Sequence, residues 1–531
     1  MKSFSRIFAR RCVVSYFLLC VFLLFCILRL STVATGNYAA VQSTQNTVCL
    51  DLYRPRGTIY DCNGNPLTNR TTEVRAALSP TVANRRLLKE VLSEAAYRAV
   101  EEQSDAGEPI VCTLPERIQT DGMLCQRVTV PHTARQSAVH LIGVINAEGH
   151  GISGLEYAFD NLLYSEPTQA AFRVNGIGQV LAGEPIELQE TANGNAVYTT
   201  LDQTVQTALE QATEDLTCGA ALLCDTEGNI RAAVSRPTFD STDLAKTVEQ
   251  KNAPQMNRVF TPYSVGSVFK PCVAAAGLEN GIGNETFICK GSMTIGGRVF
   301  GCHEANGHGK QQLGDALQNS CNIYFCQYAS AIGVKPIRRM AQMLNFGSAI
   351  RLGDDFFSAR GNLPSEGELQ GKAAVFNLSI GQGTQLLSPL SMCTLYSAIA
   401  QDGSYILPHL VTGFRKDGED EKIEPPAPTR AFSPQTAIRL RKALRRVVTD
   451  GTGKAAKAES CTVAGKTATA QTGRYENGKE VTVGWFCGFF PADDPQYVGV
   501  VTVENANGTA AAALFAKMVD TVMKTKNASQ P

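Results

Sequence analysis

The chain has 531 residues, of which 44% are hydrophobic, so it is long enough to form two or three domains, each with its own core. Lysine plus arginine and aspartate plus glutamate both number 49, and the formal net charge is zero. This balance gives no sign of the basic surface that binds nucleic acid, so nucleic acid is excluded as an expected partner.

An uncharged apolar run, Cys12–Leu28, follows four basic residues at the N-terminus. A membrane-spanning helix needs roughly 17 to 25 residues of this kind, and the run reaches that length. The alternative is a cleaved signal peptide, whose apolar region is usually shorter, about 7 to 15 residues. We therefore predict a cytoplasmic tail at 1–11 and a transmembrane anchor at 12–34, with the remainder outside the cell, because basic flanks stay in the cytoplasm.

The rest of the chain divides into two regions by composition. Residues 35–195 are polar and rich in turns, with a helical stretch at 85–100. Residues 196–531 begin with a strand and an amphipathic helix, followed by two apolar runs around a turn at 225–229, which predict a hairpin. Several helices follow, among them one predicted at 314–333, and strands return near the C-terminus. Strands at both ends with helices between them indicate an antiparallel sheet flanked by helices, an α+β architecture.

Ser267 and Lys270 lie three residues apart in the stretch TPYSVGSVFK, at the predicted first turn of a helix. Residues at this spacing share a helix face, so the lysine amine can come within hydrogen-bond reach of the serine hydroxyl. A serine becomes a nucleophile when a base takes its proton, and a lysine serves if its environment lowers its pKa. A serine and a lysine at this spacing more often lie on a solvated helix face. Gly266, directly before the predicted helix, favours a packed site because glycine allows close approach of the backbone to other groups. Two further motifs favour the chemical interpretation.

The first of these motifs is a Ser-x-Asn in which Ser320 offers a second hydroxyl for proton relay and Asn322 offers an amide. The second contains Lys466, Thr467 and Thr469 on a predicted strand, a cation and hydroxyls suited to a substrate carboxylate. Ser-x-Asn is also common in turns, and Gly-Lys-Thr is half of a phosphate loop. The phosphate-loop alternative fails because a serine occupies the position that needs the first glycine.

The chain has seventeen cysteines without a Cys-x-x-Cys motif, and free buried thiols account for most of them. Cys289 and Cys302 differ, because they flank a Gly-Gly turn and are followed by His303 and His308. Three alternatives stay open for this group: a disulfide across a hairpin, unpaired thiols, or a Cys/His metal site. We favour the disulfide between Cys289 and Cys302, because these residues are expected in an oxidising exterior.

Ser-x-x-Lys, Ser-x-Asn and Lys-Thr in this order resemble the motifs of the penicillin-binding proteins and serine β-lactamases. Longer stretches resemble landmarks of the class B penicillin-binding proteins, and they are 54–68, 140–163, 375–411 and 484–501. Some of them belong to the pedestal domain of that class, which a β-lactamase has no reason to carry. The resemblance implies a transmembrane helix, an extended pedestal domain at 35–195 and a transpeptidase domain at 196–531.

By this resemblance, the reaction is the D,D-transpeptidation that cross-links peptidoglycan stem peptides ending in D-Ala-D-Ala. Ser267 is implied as the acylated nucleophile and Lys270 as its proton acceptor, while Ser320 and Lys466 pass the proton to the leaving D-alanine. The residues implied in substrate binding are Asn322, Thr467 and Thr469. The resemblance also implies acylation by β-lactams, a cell-membrane location, and partnership with a separate glycosyltransferase and other cell-wall assembly proteins. It implies no cofactor and no metal.

Two positions depart from the family pattern, which has proline where this chain has Val265 and glycine where it has Ala468. An added methyl group on a cleft wall could crowd the substrate. If the strand is regular, however, Ala468 points away from Thr467 and Thr469, into the layer behind. The alternative function is a catalytically weak or inactive membrane-anchored scaffold of a cell-wall assembly complex. The intact set of motif residues favours the enzyme, since a scaffold would not need them.

Overall fold

The computed structural model describes residues 2–35, 46–103, 107–295, 297–476 and 478–529. The chain forms two compact units, the first made of 1–55, 72–129 and 165–192 and the second of 56–71, 130–164 and 193–531. Parts of the region predicted as a pedestal thus belong to the same unit as the C-terminal region. The predicted domain boundaries remain a prediction. A single boundary at residue 195 does not reproduce the two units, because segments of 35–195 belong to both of them.

Helix α1 (Lys2–Thr35) contains the apolar run, and the predicted N-terminal helix is confirmed. Its stretch Arg6–Val33 is long and apolar enough to cross a membrane, and a signal sequence at this position has the same properties. The elements that follow, in chain order, are β1 (Thr47–Tyr53), β2 (Thr58–Tyr60), β3 (Thr71–Leu78), α2 (Val82–Val91), α3 (Glu94–Gln103), β4 (Ile110–Leu114), β5 (Met123–Val130), α4 (Val139–Ile142), α5 (Gly154–Ala158), α6 (Asp160–Leu163), β6 (Thr168–Arg173) and β7 (Glu187–Gln189). In the first unit, β1, β6 and β7 form one three-stranded sheet and β4, β3 and β5 form another, whereas β2 and α4 to α6 belong to the second unit.

The remaining elements lie in the second unit. The first group, in chain order, is β8 (Ala196–Thr199), α7 (Gln203–Ala212), β9 (Gly219–Asp225), β10 (Ile230–Arg236), α8 (Leu244–Val248), a 3₁₀ turn (Gly266–Phe269), α9 (Lys270–Glu279), β11 (Phe287–Cys289), β12 (Ser292–Ile295), β13 (Arg298–Gly301), β14 (Gly309–Gln311), α10 (Leu313–Gln318), α11 (Asn322–Ile332) and α12 (Val334–Met343). The second group is α13 (Lys372–Ser379), α14 (Pro389–Ala400), β15 (Ser404–Tyr405), β16 (Val411–Lys416), β17 (Glu419–Lys422), β18 (Thr429–Arg430), α15 (Pro434–Thr449), a second 3₁₀ turn (Lys454–Ala456), β19 (Ala464–Glu476), β20 (Lys479–Phe490), β21 (Tyr497–Glu504) and α16 (Gly508–Ser529).

A five-stranded antiparallel sheet of order β10-β9-β21-β20-β19 forms the centre of the second unit. Strands from both ends of the region meet in it, because β21 pairs with β9, and the predicted hairpin is the pair β9 and β10. Helices α9 and α14 pack in the core on one face, and α7 and α16 pack in the core on the other. The predicted α+β architecture with a central antiparallel sheet flanked by helices is confirmed.

Strand β20 shows how the sheet fills both cores, because its side chains alternate between the two faces. Trp485 and Cys487 belong to the core that contains α9, whereas Phe486 and Phe490 belong to the core that contains α16. Each of these side chains is fully buried, and burying one large apolar side chain contributes about 1.5–3 kcal/mol. The Trp485 indole Nε1 also donates to the backbone oxygen of Ser264 at 3.0 Å. This bond ties the sheet to the segment that leads into the 3₁₀ turn.

Residues 314–333 read as a single helical stretch in the sequence, but the structure divides them into α10 and α11. Ser320, between the two helices, has a φ of +52°, in the left-handed region that a continuous right-handed helix does not contain. The chain reverses through hydrogen bonds that cap α10, in which Cys321 N donates to Ala316 O at 2.9 Å. Helix α11 therefore starts directly after the Ser320 turn.

A buried ion-pair network in the second unit centres on Arg56 and Glu156. Arg56 Nε lies 2.6 Å from Glu156 Oε2, and its Nη2 lies 2.9 Å from Asp160 Oδ1. The second carboxylate oxygen of Glu156 lies 2.8 Å from His132 Nε2, and Arg56 also donates to the Gly149 carbonyl at 2.7 Å. The Glu156 side chain is fully buried, so its charge depends on these partners for compensation.

Replacement of Arg56 by methionine is expected to destabilise the second unit by about 3–5 kcal/mol, because it leaves a buried carboxylate without its cation. Arg415→Met is the matched control, because Arg415 pairs with Asp420 where both side chains are about half exposed, and its loss should change stability little. Thermal unfolding of both variants measures the difference. Equal melting midpoints in the two variants would contradict the assigned role of the network.

Candidate active site

The turn that carries Ser267 is fixed against the edge of the central sheet. Gly266 has a φ of +59°, and a Cβ at this position would lie 3.3 Å from the side chains of both Ala468 and Ala470. Its amide donates to the Gly381 carbonyl at 2.8 Å. Glycine is required here because a side chain would meet both the backbone strain and this close approach. Ser267 is half-buried, whereas its neighbours Gly266 and Val268 are buried.

Lys270, at the start of α9, is fully buried and connects two of the predicted motifs. Its Nζ donates to Ser320 O at 2.6 Å, to Ser320 Oγ at 3.3 Å and to Asn322 Oδ1 at 2.8 Å. Within the described residues, these hydrogen bonds go to the Ser-x-Asn segment and none joins Lys270 to Ser267. Burial lowers the pKa of Lys270 to about 7, so a neutral amine is accessible near neutral pH.

Lys466 and Thr467 lie on the edge strand β19, and both are buried. Lys466 Nζ donates to Thr467 O at 3.1 Å and to Thr452 Oγ1 at 3.5 Å. Burial, and then the charge of Lys270, hold the pKa of Lys466 well below its ordinary value. The two lysines are therefore close enough to interact electrostatically, which places the first and third motifs near each other.

Thr469 differs from the other predicted site residues, since it is exposed and its Oγ1 accepts the Gly508 amide at 2.9 Å. Its side chain is therefore engaged with the start of α16. Within the part of the chain that the structure describes, Thr469 Oγ1 has no hydrogen bond to Lys270 or Lys466. The structure thus brings together the first-turn lysine, the Ser-x-Asn segment and Lys466, and leaves this hydroxyl outside their network.

Thr452 is a site residue that the sequence analysis did not name. Its hydroxyl lies 3.1 Å from Thr467 Oγ1 and also accepts from Lys466. It lies in the loop after α15, fourteen residues before Lys466, in a Gly-Thr-Gly sequence. The flanking glycines mark a tight loop, but nothing in the local pattern connects that loop to β19.

Ala468 lies in a regular part of β19, and its side chain points away from Thr467 and Thr469 as expected for a regular strand. The pairing of β19 with β20 runs without a shift from Ala464 to Gln471, and Ala468 is only 4% exposed. Its methyl group packs in the core beside Gly266, on the face opposite to Thr467 and Thr469. The added methyl group therefore fills space behind the strand rather than narrowing the cleft.

The expected disulfide is not present. Cys289 and Cys302 are both free thiols. They do not face each other across a ladder, because Cys289 pairs with Gly309 while the hairpin of β12 and β13 pairs Ser292 with Gly301. The sequence prediction was wrong here because two short sheets, rather than one hairpin, occupy this segment.

The fold of the second unit and the Ser-x-x-Lys turn at its sheet edge define a domain of the penicillin-binding type. A crystal structure of penicillin binding protein 3 from Mycobacterium tuberculosis, complexed with ampicillin, has the same fold, with a TM-score of 0.66 and 24% sequence identity over 90% of this chain and 96% of that one. The family model of the penicillin binding protein transpeptidase domain matches residues 219–524, and the chain belongs to this family. The resemblance stated from the motifs is confirmed.

Two curated relatives give the same family assignment. Stage V sporulation protein D of Bacillus subtilis is 28% identical over 70% of this chain, and peptidoglycan D,D-transpeptidase FtsI of Escherichia coli is 25% identical over 73%. The matched regions cover 59% and 66% of those relatives, so the chain spans less than two thirds of their length.

We expect Ala468→Gly to change the second-order rate of acylation by benzylpenicillin by less than about tenfold, equivalent to 1.4 kcal/mol in the barrier. The reason is that the methyl group contacts the core behind the strand and not the cleft. Stopped-flow or quenched labelling with the purified protein measures the rate. A much larger gain in the glycine variant would mean that Ala468 restricts the working cleft.

Proposed function

We propose that this protein is a peptidoglycan D,D-transpeptidase that acts through a serine acyl-enzyme and is acylated by β-lactams. The observation that carries the proposal is the buried Lys270. This lysine lies three residues after Ser267, and its amine donates hydrogen bonds to Ser320 and Asn322. Family membership and the D,D-transpeptidase named among the relatives support the same reaction.

In the first step, Ser267 Oγ attacks the carbonyl carbon of the penultimate D-alanine of a stem peptide. The carbon–oxygen bond forms, the carbon–nitrogen bond breaks, and D-alanine leaves with a proton. Lys270 in its neutral form accepts the Ser267 proton, and its lowered pKa makes this form accessible. Ser320 and Lys466 relay the proton to the leaving nitrogen, since the Ser320 hydroxyl is within 3.3 Å of the Lys270 amine.

In the second step, an amine of a neighbouring peptide attacks the ester on Ser267. The new carbon–nitrogen bond forms, the ester bond between the acyl carbon and Ser267 Oγ breaks, and Ser267 Oγ receives the proton of the attacking nitrogen through the same groups. Asn322 and the strand that carries Thr467 and Thr469 hold the peptide, which lies along β19 as an added strand. Dividing one acyl transfer into two steps lowers the barrier that each step must cross.

The proposed location is the cell membrane, with the N-terminus in the cytoplasm and the catalytic unit outside. Helix α1 is long and apolar enough to span a bilayer, and basic residues precede its apolar run. The proposed partners are a separate glycosyltransferase and other cell-wall assembly proteins, as the family resemblance implies.

Fluorescent penicillin should label the full-length protein at Ser267, and Ser267→Ala should abolish the label because no other residue supplies the attacking oxygen. Lys270→Ala should slow labelling by at least about 100-fold, the lower range for loss of a general base. Intact-mass measurement and peptide mapping identify the modified residue.

Matched controls for this experiment are Ser330→Ala and Lys335→Ala, two exposed positions on α11 and α12 outside the site. Both should be labelled at the wild-type rate. Labelling that survives in Ser267→Ala would disprove the assignment of the nucleophile. A wild-type protein that is folded but resists labelling, and that releases no D-alanine from a stem peptide, would favour the scaffold alternative.

A further inference from the structure

Four potential metal-binding side chains converge next to the Ser-x-Asn segment. The sulfur atoms of Cys289, Cys302 and Cys321 and a ring nitrogen of His308 all lie within 4.8 Å of one another. Three thiols and one imidazole match the donor set of structural zinc sites, in which thiolate and imidazole ligands surround the ion.

The distances within this Cys₃His cluster fit a single ion at its centre. Cys302 Sγ lies 3.5 Å from His308 Nδ1 and 4.0 Å from Cys321 Sγ. A tetrahedral zinc ion with bonds of about 2.3 Å to sulfur and about 2.0–2.1 Å to nitrogen separates its ligands by about 3.5 to 3.8 Å. The sulfur–sulfur distance is about twice that of a disulfide, near 2.05 Å, so the thiols are spaced as ligands and not as a bonded pair.

The ligands come from different elements of the chain. Cys289 ends β11, Cys302 follows β13, His308 precedes β14, and Cys321 precedes α11. Cys289 and Cys321 are buried, while Cys302 and His308 are half-buried. A shared ion therefore crosslinks the segment 287–311 to the start of α11.

A backbone N–H group also points at one of the sulfur atoms. The Tyr324 amide donates to Cys321 Sγ at 3.4 Å. Such bonds stabilise the negative charge that a thiolate keeps when it ligates a metal.

We propose that Cys289, Cys302, His308 and Cys321 bind one zinc ion. Four protein ligands complete a tetrahedral shell and leave no position for water or substrate, so the ion is structural. The proposal adopts the Cys/His metal alternative of the sequence analysis instead of the absence of a metal that the family resemblance implies, and it uses His308 in preference to the exposed His303.

The site also has a consequence for the active site, and this part rests on the proposed function. Cys321 lies between Ser320 and Asn322, the two residues that accept hydrogen bonds from Lys270. An ion bound to Cys321 holds both neighbours in place, because their backbone positions follow from that of the ligand. Zinc is therefore a positioning element for the Lys270 network and takes no part in acyl transfer.

The first test measures zinc in the full-length protein after equilibration with zinc and removal of the excess. Elemental analysis should find about one zinc per chain in the wild type, as for structural zinc sites. His308→Ala should lose most of it, and His303→Ala, five residues away in the same loop, should retain it. A wild type without stoichiometric zinc, or equal zinc in the two variants, would overturn the site.

Cobalt substitution provides a second measurement that does not depend on activity. Cobalt bound by three thiolates gives strong sulfur-to-metal charge-transfer absorption. This absorption should appear in the wild type and in Cys461→Ser, whose half-buried thiol lies outside the cluster, and should be weakened in Cys302→Ser. Absorption of equal strength in both serine variants would also overturn the site.

The positioning role is tested by penicillin labelling before and after zinc removal by a chelator. Zinc removal should slow acylation at least about tenfold, and added zinc should restore the rate, since the ion holds Ser320 and Asn322. An unchanged rate in zinc-free protein would overturn the positioning role. Failure of the proposed function appears differently, as zinc-loaded protein that is not acylated at all.

Discussion

The burial of the Lys270 amine is the constraint on which the rest of the active site depends. A buried amine needs hydrogen-bond partners, because an unsatisfied polar group in an apolar environment is costly. Ser320 and Asn322 supply them at 2.6 and 2.8 Å, and these bonds join the start of α9 to the start of α11. The same burial lowers the pKa of Lys270 to about 7, so one structural feature both joins two of the motifs and favours the neutral amine that the proposed function requires.

Two backbone conformations make this arrangement possible. Gly266 and Ser320 both have positive φ, at +59° and +52°. Gly266 lies immediately before Ser267, and Ser320 lies two residues before Asn322, the first residue of α11. Glycine adopts this conformation without strain, whereas a serine keeps it only where the surrounding structure enforces it. On the side of Ser267, the close approach of Gly266 to Ala468 and the Trp485 bond to Ser264 hold the turn against the sheet. The central sheet therefore supports the turn that carries Ser267.

The sequence allowed prediction of the architecture, and it named most residues that the candidate site brings together, because hydrophobic patterns and motif spacing are local properties. It specified the strands around Lys466, the helix after Ser267 and the Ser-x-Asn segment. It did not predict the break at Ser320, because a positive φ at serine has no signature in the pattern. Thr452 was missed for a related reason, since its role arises from a contact with Thr467 that only the tertiary fold creates.

The cysteine group shows the same limit, and it also explains why a metal would be useful in this part of the fold. Strands β11 to β14 form two separate two-stranded sheets, and such sheets are marginally stable by themselves. Most side chains of β12 and β13 are exposed, so this segment buries little apolar surface of its own. Small segments without a sufficient core commonly depend on a metal or a disulfide. Because the proposed zinc ligands include Cys321, the ion that stabilises this segment would also fix Ser320 and Asn322, which bind Lys270. The stability of the segment and the position of the Lys270 amine would then be coupled.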